Sequence, residues 1–202
     1  MPVIANMGKV NGIVISNSPG VPDAHVLIAT ATASSSATLS FTLGLDSLYD
    51  IYQFRFSDIH PQTNSVALSF QVNAVGASGF NETVTSSFYR TKNHEDDSSP
   101  EIAIIASYDQ AQGTGYQLLC NDVGNGDDES VNGILTLYAP SSTTYVKHFT
   151  IDSQGSNGGN WSARQLIAGY VNTTSAVNAI QFSFHSGNID TGVITMYGIA
   201  KS

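Results

Sequence analysis

Cysteine is nearly absent: the 202-residue chain has one, Cys120. A single thiol cannot form a disulfide within the chain. With no activating histidine beside it in the sequence, Cys120 reads as a small buried apolar residue rather than a nucleophile. Charge is scarce too, at 11% of residues, against a usual share of about 25%. Only seven residues are Lys or Arg, and the formal net charge is −9. Nucleic-acid binding needs Lys and Arg to neutralise phosphates, so no nucleic acid is expected as a partner. Long apolar runs are missing as well. No stretch approaches the roughly 18 residues of a membrane helix. Met1 to Gly20 lacks the basic start and continuous apolar segment of a secretory signal. The expectation is cytoplasmic synthesis, no membrane insertion, and a chain that stays soluble until it assembles. Sequons at Asn81, Asn160 and Asn172 are then chance matches in an Asn/Ser/Thr-rich chain.

Catalytic signatures are equally thin. The five histidines, His25, His60, His94, His148 and His185, include no pair at metal-ligand spacing. There is no Gly-x-Ser-x-Gly elbow, no phosphate-cradling Gly loop and no dinucleotide fingerprint, so no cofactor and no resident metal are expected. Two acidic loops stand out, His94–Asp97 and Asp122–Glu129. Ca²⁺ needs about six to eight oxygens, which makes Asp122, Asp127 and Asp128 candidate ligands. The loop departs from the spaced Asp pattern of known Ca²⁺ loops, and a solvated stretch of like charges is the other reading. Asp58, Asp109, Asp152 and Asp190 fall at expected strand ends. Glycoside hydrolysis would need two such carboxylates about 5–9 Å apart, and sixteen acids offer candidate pairs by chance.

What is present is a period of two. Tyr52, Phe54 and Phe56 alternate with Gln53, Arg55 and Ser57, and Ile180, Phe182 and Phe184 alternate with Gln181, Ser183 and His185. Val66, Leu68, Phe70, Val72 and Ala74 alternate with Ala67, Ser69, Gln71 and Asn73 in the same way. Successive strand side chains face opposite ways, so each run predicts a half-buried antiparallel strand. Further strands are expected at Val26–Thr30, Thr38–Leu43, Val84–Thr91, Ile102–Ser107, Tyr116–Cys120, Gly133–Tyr138, Thr144–Ile151, Ala163–Val171 and Thr191–Ile199. Turn-rich clusters separate them, and no window shows a helical repeat. About twelve short strands predict an all-β antiparallel sandwich, jelly-roll-like. It would fill residues 24–202 as one domain, after an N-terminal arm of residues 1–23 rich in Gly and Pro.

Three segments carry a resemblance: Tyr49 to Asn64, with a Tyr-rich strand closing on His60-Pro61; Leu135 to Phe149, with Leu137-Tyr138-Ala139-Pro140-Ser141-Ser142; and Ile180 to Ile199, with Gly187-Asn188-Ile189 before a final Tyr197-Gly198-Ile199. Together they resemble virion structural proteins of marine tailed bacteriophages, cyanophages especially. The resemblance implies a jelly-roll-like fold, often in trimers, and brings no catalytic residues. It leaves capsid decoration, tail, baseplate and fibre roles open.

The leading expectation is therefore a non-enzymatic, surface-exposed virion protein in a symmetric oligomer, with itself and other virion proteins as partners. Ile13, Val14 and Ile15 of the arm, with Met196 and Tyr197 of the last strand, are the expected oligomer contacts. The alternative is a receptor-binding module for host cell-surface polysaccharide. Its candidates are Trp161, Asn160 and the Asn121–Glu129 loop, since exposed aromatics and amides suit sugar rings. Aromatics filling a sandwich core are the competing reading of Trp161. A depolymerase is the third possibility.

Overall fold

The computed structural model describes His25–Ala200, and before them the backbone of two short strands, β1 (Lys9–Val10) and β2 (Ile13–Val14), which pair antiparallel. The contacts expected of Ile13, Val14 and Ile15 lie outside the described residues.

Thirteen further strands follow from that point: β3 (His25–Thr32), β4 (Leu39–Phe41), β5 (Ile51–Pro61), β6 (Val66–Ala74), β7 (Val84–His94), β8 (Glu101–Ile104), β9 (Ala111–Gly113), β10 (Gln117–Val123), β11 (Val131–Tyr138), β12 (Lys147–Asn157), β13 (Trp161–Val171), β14 (Val177–Phe184) and β15 (Ile189–Ile199). One 3-10 turn, Ala106–Tyr108, is the only helical element among the described residues. Tyr52, Phe54 and Phe56 are buried and Gln53 and Arg55 half-buried, as the alternation requires.

The pairing order makes the fold specific. One sheet runs β3-β15-β5-β11 and continues through β12, β13, β7 and β8; the other runs β10-β6-β14-β4. Take β3, β4, β5, β6, β10, β11, β14 and β15 as a series in chain order. They pair first-eighth-third-sixth in one sheet and second-seventh-fourth-fifth in the other, which is the two-Greek-key order of a jelly roll. Two insertions, β7 to β9 and β12 with β13, extend the first sheet past β11. The second sheet has no matching extension: its edge strand β10 reaches Gln165 of β13 and Ser86 of β7, and the outer part of the first sheet forms an overhang past it. A continuous hydrophobic core lies between the sheets.

Two expectations need correcting. Residues 66–74 are not half-buried: Ala67, Ser69 and Gln71 are buried as well as their apolar neighbours. The outer face of β6 is capped by loops, with Gln71 Nε2 donating to the carbonyls of Glu82, Thr114 and Gly115. Met196 is fully buried in the chain's own core, because β15 is central, between β3 and β5. Its contact is intramolecular. Tyr197 sits on the opposite face, half-buried, with Arg55 5.0 Å above its ring and His25 at its edge.

At the end where β5 begins, Tyr52 ties down the loop 42–50. Its hydroxyl donates to Asp46 Oδ1 (2.8 Å) and accepts from the Asp46 N–H (3.1 Å). Burial pushes the phenol up to about 12. Tyr52→Phe is expected to destabilise the fold by about 1 kcal/mol, read as a lower urea midpoint at unchanged slope.

Candidate functional site

Antiparallel strands gather their connections at two ends. One end carries loops 62–65, 95–100, 124–130, 158–160 and 185–188; the other carries 42–50, 75–83, 139–146 and 172–176. The first end is polar and interlocked. Asn157 Nδ2 donates to Asp122 Oδ2 (2.8 Å), Gly124 N to the Ser156 carbonyl (3.3 Å), Asn125 Nδ2 to the Gln62 carbonyl (3.2 Å) and Glu95 N to the Asn160 carbonyl (3.0 Å). Gly187, at φ +72°, makes the left-handed turn into β15.

Trp161 stands at this end, but its ring is engaged. Lys92 Nζ lies 4.0 Å over its face and His94 packs against it edge-on at 4.8 Å. A Cβ on Gly159 would come within 2.9 Å of it. Asn160 is exposed at φ +56° and completes the turn from Asn157, whose Oδ1 accepts from Gly159 N and Trp161 N. Both residues hold the β12–β13 hairpin, and a sugar stacked on Trp161 would have to displace the lysine.

The overhang behind this hairpin is stapled by ion pairs: Arg90 with Glu101 (2.6 Å) on one face and Arg164 with Asp152 (2.6 Å) on the other. The arginine hydrogen bonds hold the Glu101 and Asp152 carboxyls below their usual range. A carboxylate whose pKa drops on folding adds stability above its unfolded value and loses it as pH falls. The melting temperature is therefore expected to decline as pH drops through about 4 and below, and Arg164→Gln to flatten that decline.

The acids do not act together. Asp127, Asp128 and Glu129 line a groove of about 410 Å³ with Asp58, His60 and Asp190. Asp122 is not among its lining; it borders a separate pocket with Tyr108 and His185 and accepts from Asn157. The Ca²⁺ set expected of Asp122, Asp127 and Asp128 is thus split, and no group of three His, Cys, Asp or Glu among the described residues is placed to hold a metal ion. A β-bulge is the reason: β10 shifts register against β6 between Cys120 and Val123, with Asp122 at φ +57°. Glu129 organises the loop, its Oε2 accepting from Gly126 N at 2.6 Å.

The pocket that receives Asp122 is the more differentiated of the two. It measures about 350 Å³ and is lined by Ser65, Ala67, Tyr108, Leu118, Asn121, Asp122 and His185. Tyr108 is held by an edge contact with Phe88 at 5.2 Å. The His185 Nδ1 accepts from Ala67 N (2.9 Å), which leaves Nε2 as the donor. Asn121 is only 8% exposed, yet its Oδ1 has no hydrogen-bond partner. Of these residues, sequence reasoning singled out Asp122 and the loop containing Asn121. Tyr108, Leu118 and His185 gave no signal, because separate segments meet only in the fold. By contrast Cys120, fully buried with its thiol pushed up to about 12 by burial, is unsuited to nucleophilic work.

No protein-family model, curated protein or solved structure matches this chain.

Proposed function

We propose that the chain is a non-enzymatic structural protein of a phage virion, seated by one end of the sandwich and displaying the other. The observation that carries this reading is the unequal character of the two ends. Leu43 (84% exposed), Tyr145 (71%), Leu48 and Val75 all stand exposed in loops of the end where β5 begins. The remaining exposed large apolar residues, Leu27, Ile102, Ile104 and Leu166, lie on strands, and the polar end contributes none among the described residues. Scattered exposed apolar residues are ordinary; several gathered at one end mark a contact surface. The opposite end, with its five-carboxylate groove, keeps copies soluble and apart by like charge.

The assembly this implies is symmetric, a trimer by the resemblance of the sequence, with other virion proteins beneath it. Sedimentation equilibrium tests the reading. The wild-type chain is expected to be oligomeric at micromolar concentration. Leu43→Ser, Leu48→Ser and Tyr145→Ser together are expected to give a folded monomer, since exposed substitutions change stability by only about 0.5 kcal/mol each. A wild-type monomer at every concentration, or a triple variant that assembles as before, would overturn it.

A further inference from the structure

We infer that the pocket formed by Tyr108, Leu118, Asn121, Asp122 and His185 binds one hexose unit of a neutral polysaccharide. The starting point is Asn121. A buried amide oxygen without a partner forfeits hydration for nothing in return, and native structures keep few such groups. The Asn121 backbone N–H is satisfied by Gln165 Oε1 (2.9 Å), so only the side-chain oxygen is left unpartnered, in a residue that lines this pocket and the narrow cleft beside Trp161.

The backbone is bent to bring a second group beside it. In a regular strand, consecutive side chains point to opposite faces. The bulge in β10 and the left-handed Asp122 put Asn121 and Asp122 in the same pocket. Bulges re-aim side chains beside binding sites. Asp122 Oδ2 is taken by Asn157, which fixes the carboxylate and leaves Oδ1 to accept.

The chemistry offered is that of a sugar. A hexose has one face of C–H groups and a rim of hydroxyls that both donate and accept. Tyr108, Leu118 and Ala67 give the apolar wall; Asp122 Oδ1 gives the acceptor, with the Asn121 amide beside it; His185 Nε2 and Ser65 give donors. The volume, about 350 Å³, is at the small end of ligand pockets and suits one unit rather than a chain. Asp122 in the pocket and the formal charge of −9 repel uronic and sulfated sugars, which makes the unit neutral. None of this depends on the apolar end or on a virion.

The test uses the purified full chain and the methyl α- and β-glycosides of glucose, galactose and mannose, followed by amide chemical shifts in NMR. At least one glycoside is expected to give saturable shifts at residues 65–67, 108, 118–122 and 185, with affinity on the order of 1 mM for so small a ligand. Asn121→Leu is expected to weaken it at least tenfold while melting no lower than wild type, since the unpaired amide is removed. Tyr108→Leu gives an independent second loss, and Trp161→Phe is expected to bind as wild type. No saturable shift with any of the six, undiminished binding by Asn121→Leu, or tighter binding of methyl glucuronide would each overturn the inference.

Discussion

Phe182→Ala is expected to remove about 4 kcal/mol of folding stability. Phe182 is fully buried in β14, paired with Leu39 of β4 on one side and Phe70 of β6 on the other. Its ring meets Phe41 at 6.3 Å, Phe54 at 5.7 Å and Phe70 at 6.5 Å. Phe54 belongs to the facing sheet, so this one ring joins the two layers. Phe70 carries the contact onward to Phe149 at 5.2 Å. A cavity here would be walled by two hydrogen-bonded sheets that cannot collapse into it, which places the cost in the upper part of the range for aromatic truncation. Urea denaturation measures it. A loss under about 1 kcal/mol would mean that the sheets are not held together through this cluster.

The choice of Phe182 was legible before any coordinates. The alternation Ile180, Phe182, Phe184 against polar neighbours marks one inward face, and all three are buried. Pairing was not legible. Strand β15 joins β3, far away in the chain, to β5, and nothing local encodes which distant strands meet. The insertions were equally opaque, since β12 and β13 look like any other strands in sequence while extending the sheet beyond the jelly roll. Strand β6 shows a further limit. Alternation says which side chains prefer the core; it does not say whether loops will cap the other face, and Gln71 is buried because they do.

The candidate site divides in the same way. Asp122, Asp127 and Asp128 are close in sequence, and closeness suggested a shared ion. The irregular end of β10 places Asp122 in one pocket, while Asp127 and Asp128 line another groove. Trp161 looked like the aromatic to bet on, yet Lys92, from a strand paired alongside, occupies its face. Tyr108 closes the 3-10 turn Ala106–Tyr108 of an inserted segment, just past the strand that the sequence predicts to end at Ser107. What a residue type can do was readable; which partners occupy it was not.

Gly169→Val is expected to cost about 3 kcal/mol and to do so in a particular place. Gly169 of β13 lies directly opposite Phe149 of β12 and Ser86 of β7. A Cβ there would sit 2.5 Å from the Thr85 carbonyl oxygen, 2.6 Å from the Phe149 ring and 2.9 Å from Ser86 Cβ. Two of these obstacles are fixed: the carbonyl is backbone, and the Phe149 ring is packed under Phe70. Moving either means parting β13 from β7 or lifting β12 from the core. The first is easier, because only the short strands β8 and β9 lie beyond β7 in its sheet, whereas β12 is paired on both sides and packs against β10 of the second sheet. The variant should therefore loosen the overhang while the eight-strand jelly roll persists. Hydrogen exchange is expected to show faster amides in residues 84–113 and 161–171, with β5, β14 and β15 protected as before. Because Phe88 positions Tyr108 and Gln165 of β13 holds the Asn121 N–H, the hexose pocket should weaken along with the overhang. Uniform loss of protection across both sheets would show instead that the extension and the jelly roll fold as one unit.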